Sequence, residues 1–92
     1  MIISRMEFIH RAQIDQGDLQ VWIEEQWLIP NQVLSEIEFS EADLARVALI
    51  RDLKEQLGVN DEGVGVILDL VDQVHGLRQL VTVLLKDKRD AP

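Results

Sequence analysis

Few side chains in this sequence could do chemistry, and none stands in an arrangement that catalysis needs. The two histidines, His10 and His75, each follow a carboxylate by three residues, so each pair could share one face of a helix. Two ligands do not make a metal site, and a lone histidine on an amphipathic helix is more often structural or solvated. Cysteine is absent from the 92 residues, which removes thiolate nucleophiles, disulfides and cysteine-based zinc sites. We therefore expect a protein that is not an enzyme and that uses no metal and no cofactor.

Charge is spread unevenly along the chain, which has 17 acidic and 9 basic residues and a net charge of −8. Residues 1–43 contain nine of the acids and only two bases, Arg5 and Arg11, so this segment has a balance of −7. An acidic surface repels phosphate and attracts basic partners. Acidity also serves solubility alone, so composition by itself leaves both interpretations open.

Two short helices joined by a tight turn are predicted near the N-terminus. Ser4 and Glu7 fit a capping box at the start of the first helix. The second helix, residues 16–26, follows a turn in which Asp15 or Gly17 lies near the cap. Together they form a helix-turn-helix unit, with residues 16–26 as the recognition helix.

The two tryptophans have different expected positions. Trp22 shares a helix face with Leu19 and Ile23, so we expect it in the core. Trp27 could be a core residue or an anchor in an interface, where tryptophan is enriched.

A small wing is predicted between the second helix and the third. Apolar and polar residues alternate over residues 33–39, although Leu34 and Ser35 break the pattern. Such alternation is typical of a short hairpin with one buried side. Ser40 then opens a third helix, with Asp43 in its first turn, and Gly58 ends it. Asn60 caps the fourth helix.

A heptad pattern marks the C-terminal helix. β-branched residues at one position and leucines at the other favour a two-stranded coiled coil. Further apolar residues widen this stripe, so the helix must also pack on its own domain. The seam could be intramolecular core, but its length and phase favour a homodimer whose strand direction stays open. The predicted dimer interface consists of Ile67, Leu70, Val74, Leu77, Val81 and Leu84.

The elements combine into one mainly α domain over residues 1–92. The helix-turn-helix and wing occupy residues 1–43, the third helix 44–58 and the long C-terminal helix 60–87. No apolar run approaches the roughly 20 residues that span a bilayer, and the N-terminus lacks the apolar stretch of a signal peptide. We therefore expect a cytoplasmic protein with no membrane association.

Several segments resemble the MerR-type helix-turn-helix regulators. Residues 22–30, Trp-Ile-Glu-Glu-Gln-Trp-Leu-Ile-Pro, are similar to the helix-to-wing passage of that family, and residues 37–44 to its wing-to-helix junction. Residues 44–60 resemble its third helix and the turn that follows. Residues 63–73 most resemble the chaperone-modulator subgroup, whose members bind and inhibit a DnaJ-like, curved-DNA-binding co-chaperone. The resemblance implies a MerR-like winged helix-turn-helix fold with a small wing and a long C-terminal dimerisation helix.

Departures from the family pattern argue against DNA as the partner. Val21, Glu25 and Ile37 stand where the family has arginine, and Ile23 and Phe39 stand where it has tyrosine. In DNA-binding relatives such residues approach the phosphate backbone. The recognition helix contains no Lys or Arg at all, although cations that neutralise phosphates supply much of DNA affinity.

Three functional hypotheses follow. The first, which the resemblance implies, is a modulator that inhibits a J-domain co-chaperone by covering the basic helix of the J-domain with an acidic surface. The second is a transcriptional regulator that binds DNA as a dimer, which requires Arg5, Arg11 and Arg46 to gather on one face. The third is an adaptor with another protein partner. For the first hypothesis the predicted contacts are Asp18, Glu24, Glu25, Glu36 and Glu38, although exposed carboxylates are often no more than a solvated face.

Overall fold

The computed structural model describes the backbone of residues 2–90 and the side chains of residues 2–87. The helices and strands follow in the order α1 (Arg5–Ala12), α2 (Gln16–Glu24), β1 (Asn31–Val33), β2 (Glu36–Glu38), α3 (Glu41–Arg51), one π-helical turn (Asp52–Gln56) and α4 (Asp61–Asp90). This confirms the predicted mainly α fold with a small wing and a long C-terminal helix. None of the described helices is long and apolar enough to cross a membrane.

Local side-chain caps begin the two helices of the helix-turn-helix. Ser4 Oγ accepts a hydrogen bond from the backbone N–H of Glu7 at 3.2 Å. The Asp15 carboxylate accepts from the N–H groups of Gly17 at 2.9 Å and Asp18 at 3.4 Å. Each cap satisfies backbone donors that the first helical turn leaves without partners. Of the two predicted caps for α2, Asp15 is therefore the residue that serves.

The later helices carry the capping and stop residues that the sequence predicts, although α3 begins at Glu41 instead of residue 44 and α4 begins at Asp61 instead of residue 60. Ser40 and Asp43 form a reciprocal capping box at α3, with the Ser40 N–H donating to Asp43 Oδ2 at 2.9 Å. At α4 the Asn60 side chain accepts from the Gly63 N–H at 2.8 Å. Gly58 has a φ of +64°, a left-handed conformation that ends the preceding helix and favours glycine.

The prediction that α2 runs to residue 26 is wrong, because the helix ends at Glu24 and Gln26 adopts a φ of +63°. The backbone N–H groups of Trp27 and Leu28 both donate to the carbonyl oxygen of Trp22, at 2.9 and 3.2 Å. This reversal turns the chain back onto the domain, so Trp27 and Leu28 are both buried. Both tryptophans are therefore core residues, and they lie 6.0 Å apart between ring centroids.

The wing is a two-stranded antiparallel hairpin in which Asn31 pairs with Glu38 and Val33 with Glu36. Leu34 and Ser35 form the turn, which explains why they break the alternation. An isolated bridge fixes the wing to the N-terminal segment, because the backbone groups of Ile3 and Phe39 exchange two hydrogen bonds of 2.8 and 2.9 Å.

The core joins all of the helices with the base of the wing. At its centre the rings of Phe8 and Phe39 stack with their centroids 4.1 Å apart. Among the described side chains of α4, only Val64 and Leu68 are buried. Beyond Val71, every described side chain of α4 is exposed. A 30-residue helix is about 45 Å long, so roughly half of α4 extends away from the domain.

Candidate functional site

Arg46 connects the helix-turn-helix domain to α4. Its guanidinium donates to both carboxylate oxygens of Asp72, with N–O distances of 2.6 and 3.2 Å. Its Nε–H donates to the backbone carbonyl of Trp27, which satisfies an acceptor in the turn after α2. The hydrogen bond and the charge of Arg46 hold the pKa of Asp72 below its ordinary value of 3.8, against a smaller opposing effect of burial.

The other arginines of the domain also have partners within the chain. The Arg11 guanidinium lies 3.0 Å from Glu41 on α3. Arg51 donates to the carbonyl oxygens that end α1, at 2.5 Å for Ala12 and also to Gln13. Arg5 reaches the side-chain oxygen of Gln20 on α2 at 3.5 Å. The arginines that DNA binding would require are thus bonded to three different helices.

The exposed face of the recognition helix is acidic and partly apolar. Val21, which directly follows Gln20 and precedes Glu24 by three residues, is half exposed. The Gln20 amide donates to Glu24 at 3.2 Å, which holds the two side chains together along the helix. Glu25 caps the C-terminal end and is exposed. α2 itself contributes no cation to this surface, and the guanidinium of Arg5 on α1 lies beside Gln20 at 3.5 Å.

The five acids predicted as partner contacts lie in three places. Asp18 lines a cleft with two further acids, Asp15 and Glu55, and with Arg51 and Lys54, whose two positive charges partly offset the three negative ones. Glu24 and Glu25 stand at the end of α2. The other two, Glu36 and Glu38, line a groove between the wing and the N-terminal segment.

We call the groove between the wing and the N-terminal segment the wing groove. The sequence did not predict it. Its lining consists of Ile2, Ser4, Arg5, Met6, Glu7, Ser35, Glu36, Ile37 and Glu38. Ile2 and Met6 are 68% and 81% exposed, so the groove carries uncovered apolar side chains beside its acids. One feature of the sequence could have indicated that Ile2 and Met6 are exposed. Both lie outside the apolar spacing of α1, which is set by Phe8 and Ile9.

The predicted dimer residues lie along one exposed stripe of α4. Ile67 is the exception, because it packs partly against the core of its own domain. Leu70 and the later positions are exposed, with Leu77 at 62%. We call Val74, Leu77, Val81 and Leu84 the distal seam.

The two histidines lie apart from each other. His10 is exposed on α1, whereas His75 lines a groove between α3 and α4 together with Arg46 and Asp72. Among the described residues, no three His, Asp or Glu side chains lie close enough together to hold a metal ion.

A helix-turn-helix followed by a two-stranded wing and a long projecting helix defines a winged helix-turn-helix protein. Residues 3–86 match the family described as MerR HTH family regulatory protein. The chain therefore belongs to the MerR helix-turn-helix family, as the resemblance predicted. No curated protein and no solved structure matches the chain.

Proposed function

We propose that this MerR-family protein is a chaperone modulator, which binds the J-domain of a DnaJ-like co-chaperone through an acidic surface and inhibits it. The observation that carries the proposal is the absence of any base on α2, while Arg11 and Arg46 are held in ion pairs within the chain. The protein acts by covering its target and catalyses no reaction.

Electrostatics favour a protein partner over DNA. Contacts to phosphate set the register of a helix-turn-helix on DNA, and each neutralised phosphate releases counterions that strengthen binding. Here Glu24 and Glu25 occupy the end of α2, so phosphates would meet like charge. To recruit Arg11 or Arg46, DNA would first have to break bonds to Glu41 or Asp72.

The family resemblance supplies the nature of the partner. The J-domain of such co-chaperones carries a basic helix that engages its partner chaperone. An acidic surface covering that helix would prevent the engagement. Complementary charge mainly accelerates the encounter, and apolar contacts then determine the lifetime of the complex.

The protein acts as a homodimer in this proposal. The exposed distal seam leaves a periodic apolar stripe uncovered on a helix that projects from its domain. A second copy offers an identical stripe, and two such stripes can bury each other about a twofold axis.

Calorimetry with the purified J-domain co-chaperone tests the proposal. We expect micromolar or tighter binding that weakens between low and physiological salt, because exposed charges are screened by ions. The variant Glu24→Lys/Glu25→Lys should weaken binding mainly at low salt, since it reverses charge at the end of α2. Absence of binding at both salt concentrations, checked by a second method that does not depend on heat, would contradict the chaperone-modulator function. Unchanged affinity of the variant would contradict electrostatic steering by α2.

Membership of the MerR family favours a second candidate function, a regulator that binds DNA as a dimer. A mobility-shift assay with promoter DNA of its own gene tests this candidate. We expect no sequence-specific shift at physiological salt. A shift that survives excess non-specific DNA would establish the regulator instead.

A further inference from the structure

We propose that the wing groove is the docking site for the partner, and that it accepts a basic amphipathic helix. This inference rests on the proposed function and deepens it, because it selects one surface among the three places where the predicted acids lie. The groove has a volume of about 590 Å³, and it is formed by the N-terminal segment, α1 and the wing.

The apolar part of the groove is suited to the buried face of a helix. Ile2 and Met6 present most of their side chains to solvent. Ile37 also lines the groove, but it is half-buried and packs partly against the core. A single exposed apolar residue is normal, but several that line one concavity mark a binding surface. Burial of these side chains lowers the free energy of the complex when the partner covers them with an apolar face.

The charge of the groove selects the other face of the ligand. Three acids, Glu7, Glu36 and Glu38, line the groove. Arg5 is the one basic residue in the lining that the structure describes. The Arg5 guanidinium is directed toward Gln20 on α2, at 3.5 Å. A groove that is lined by both apolar and acidic side chains complements a helix that has leucine-type residues on one face and Lys or Arg on its flanks.

The walls of the groove are held in place by the core. Ile3, between Ile2 and Ser4, is fully buried, and its backbone is bonded to Phe39 at the end of the wing. This bond sets the position of the wing relative to α1. A groove that is already formed avoids much of the ordering cost of binding.

The tip of the wing gives an independent sign of a protein contact. Leu34 adopts a φ of +56°, which leucine rarely adopts, and its side chain is 95% exposed. It directly precedes Ser35, which lines the groove. Glycine or asparagine would suit such a turn better, so an exposed leucine at this position fits a contact with an apolar partner.

The other acids stand beside less exposed apolar surface, since Val21 on α2 is 50% exposed whereas Ile2 and Met6 in the groove are 68% and 81% exposed. Asp18 shares its cleft with two cations, Arg51 and Lys54, which partly offset the three acids there, Asp15, Asp18 and Glu55. Glu24 accepts a hydrogen bond from Gln20. These groups contribute to the long-range field, whereas the groove acids flank apolar side chains that can be buried.

Matched charge reversals test the docking site in the full-length protein, with the J-domain co-chaperone as the probe. Glu36→Lys/Glu38→Lys and Glu24→Lys/Glu25→Lys make the same change in net charge on different surfaces. We expect the groove pair to weaken affinity by at least about tenfold at both low and physiological salt, because groove contacts are screened less than free surface charge. The α2 pair should weaken it by less, and only at low salt.

The apolar lining of the groove is tested separately through Met6, which is 81% exposed and can therefore be substituted without loss of the fold. Met6→Asp should weaken binding by about tenfold or more with little salt dependence, and the control Met6→Leu should bind like the natural protein. Thermal melts of each variant verify folding. Equal effects from the two glutamate pairs, or native affinity of Met6→Asp, would overturn the docking site.

A second probe separates failure of the docking site from failure of the proposed function. Amide NMR spectra are recorded while a synthetic leucine–lysine amphipathic helix is titrated into the protein, with a leucine–glutamate helix as the control. Shifts concentrated in residues 2–7 and 35–38 support the groove even if the J-domain does not bind. Shifts centred on α2 or α4 overturn it, as do groove shifts that grow with protein concentration alone, because the occupant would then be a second copy.

Discussion

The wing groove and the distal seam both expose apolar side chains, and they differ in shape and in charge. The wing groove is concave, irregular and acidic, and it draws on three elements. The distal seam lies on one straight helix with heptad spacing, and residues 73–86 around it contain no acid. The seam can therefore be covered by a copy of itself, whereas the groove needs a partner of opposite charge and different shape. Exposed apolar area alone does not identify a partner; its geometry and charge do.

The largest expected effect comes from placing a charge in the distal seam. Leu77→Glu would bury two carboxylates in a dimer, so we expect the dissociation constant of the dimer to rise by at least about a hundredfold. Gln79→Glu adds the same charge at a position off the seam and should leave the dimer intact. Sedimentation equilibrium measures both variants, and equal effects would show that the seam is not the interface.

The same Leu77→Glu variant also tests whether the two surfaces are independent. As a monomer it should keep its affinity per chain for the J-domain co-chaperone within about twofold, because the groove is built from other elements. Loss of partner binding on loss of the dimer would show that the docking surface spans both copies.

Arg46 joins the domain that carries the groove to the helix that carries the seam. Arg46→Ala should lower the free energy of unfolding by about 1–3 kcal/mol, because it leaves the Trp27 carbonyl without its donor and removes the pair with Asp72. Asp72→Asn keeps the bond to Trp27 and should cost less. Urea unfolding at fixed protein concentration measures the difference, and equal losses would assign the whole effect to the ion pair.

Acid sensitivity of this junction follows from the lowered pKa of Asp72. Since the folded-state pKa lies below the ordinary value of 3.8, the ion pair stabilises the protein above that pH. This contribution is lost as the pH falls through the lower, folded-state pKa. Compared with the natural protein, Asp72→Asn should therefore lose less stability between neutral pH and the acid range, as monitored by circular dichroism.

The smallest expected effect concerns the stiffness of the seam-bearing helix. Gly76 has no neighbouring atom within 4 Å of the position that a Cβ would occupy, and it lies off the heptad seam. Gly76→Ala should stabilise α4 by about 1 kcal/mol or less through helix propensity. A rise in the melting temperature without a change in J-domain affinity would fit the separation of the two surfaces; weaker dimerisation would place Gly76 inside the interface.

Local patterns in the sequence were sufficient for much of the fold. Asp15, Ser40 and Asn60 cap their helices because the cap bonds reach only two or three residues along the chain. The family followed from the order of such segments. The end of α2 was predicted too late, because the turn at Gln26 depends on the burial of Trp27, which a helical spacing does not reveal.

The same distinction between local patterns and long-range contacts applies to the functional surfaces. The sequence by itself determined the acidity of residues 1–43, the absence of bases on α2 and the heptad spacing of α4, since each of these is a property of neighbouring residues. Only the tertiary structure decided that Arg46 bonds to Asp72, 26 residues away, and that Glu36 and Glu38 share a groove with Ile2 and Met6. Contacts of this kind depend on how the core packs distant segments together, and the burial of Ile3 and Phe39 is what brings the wing to α1.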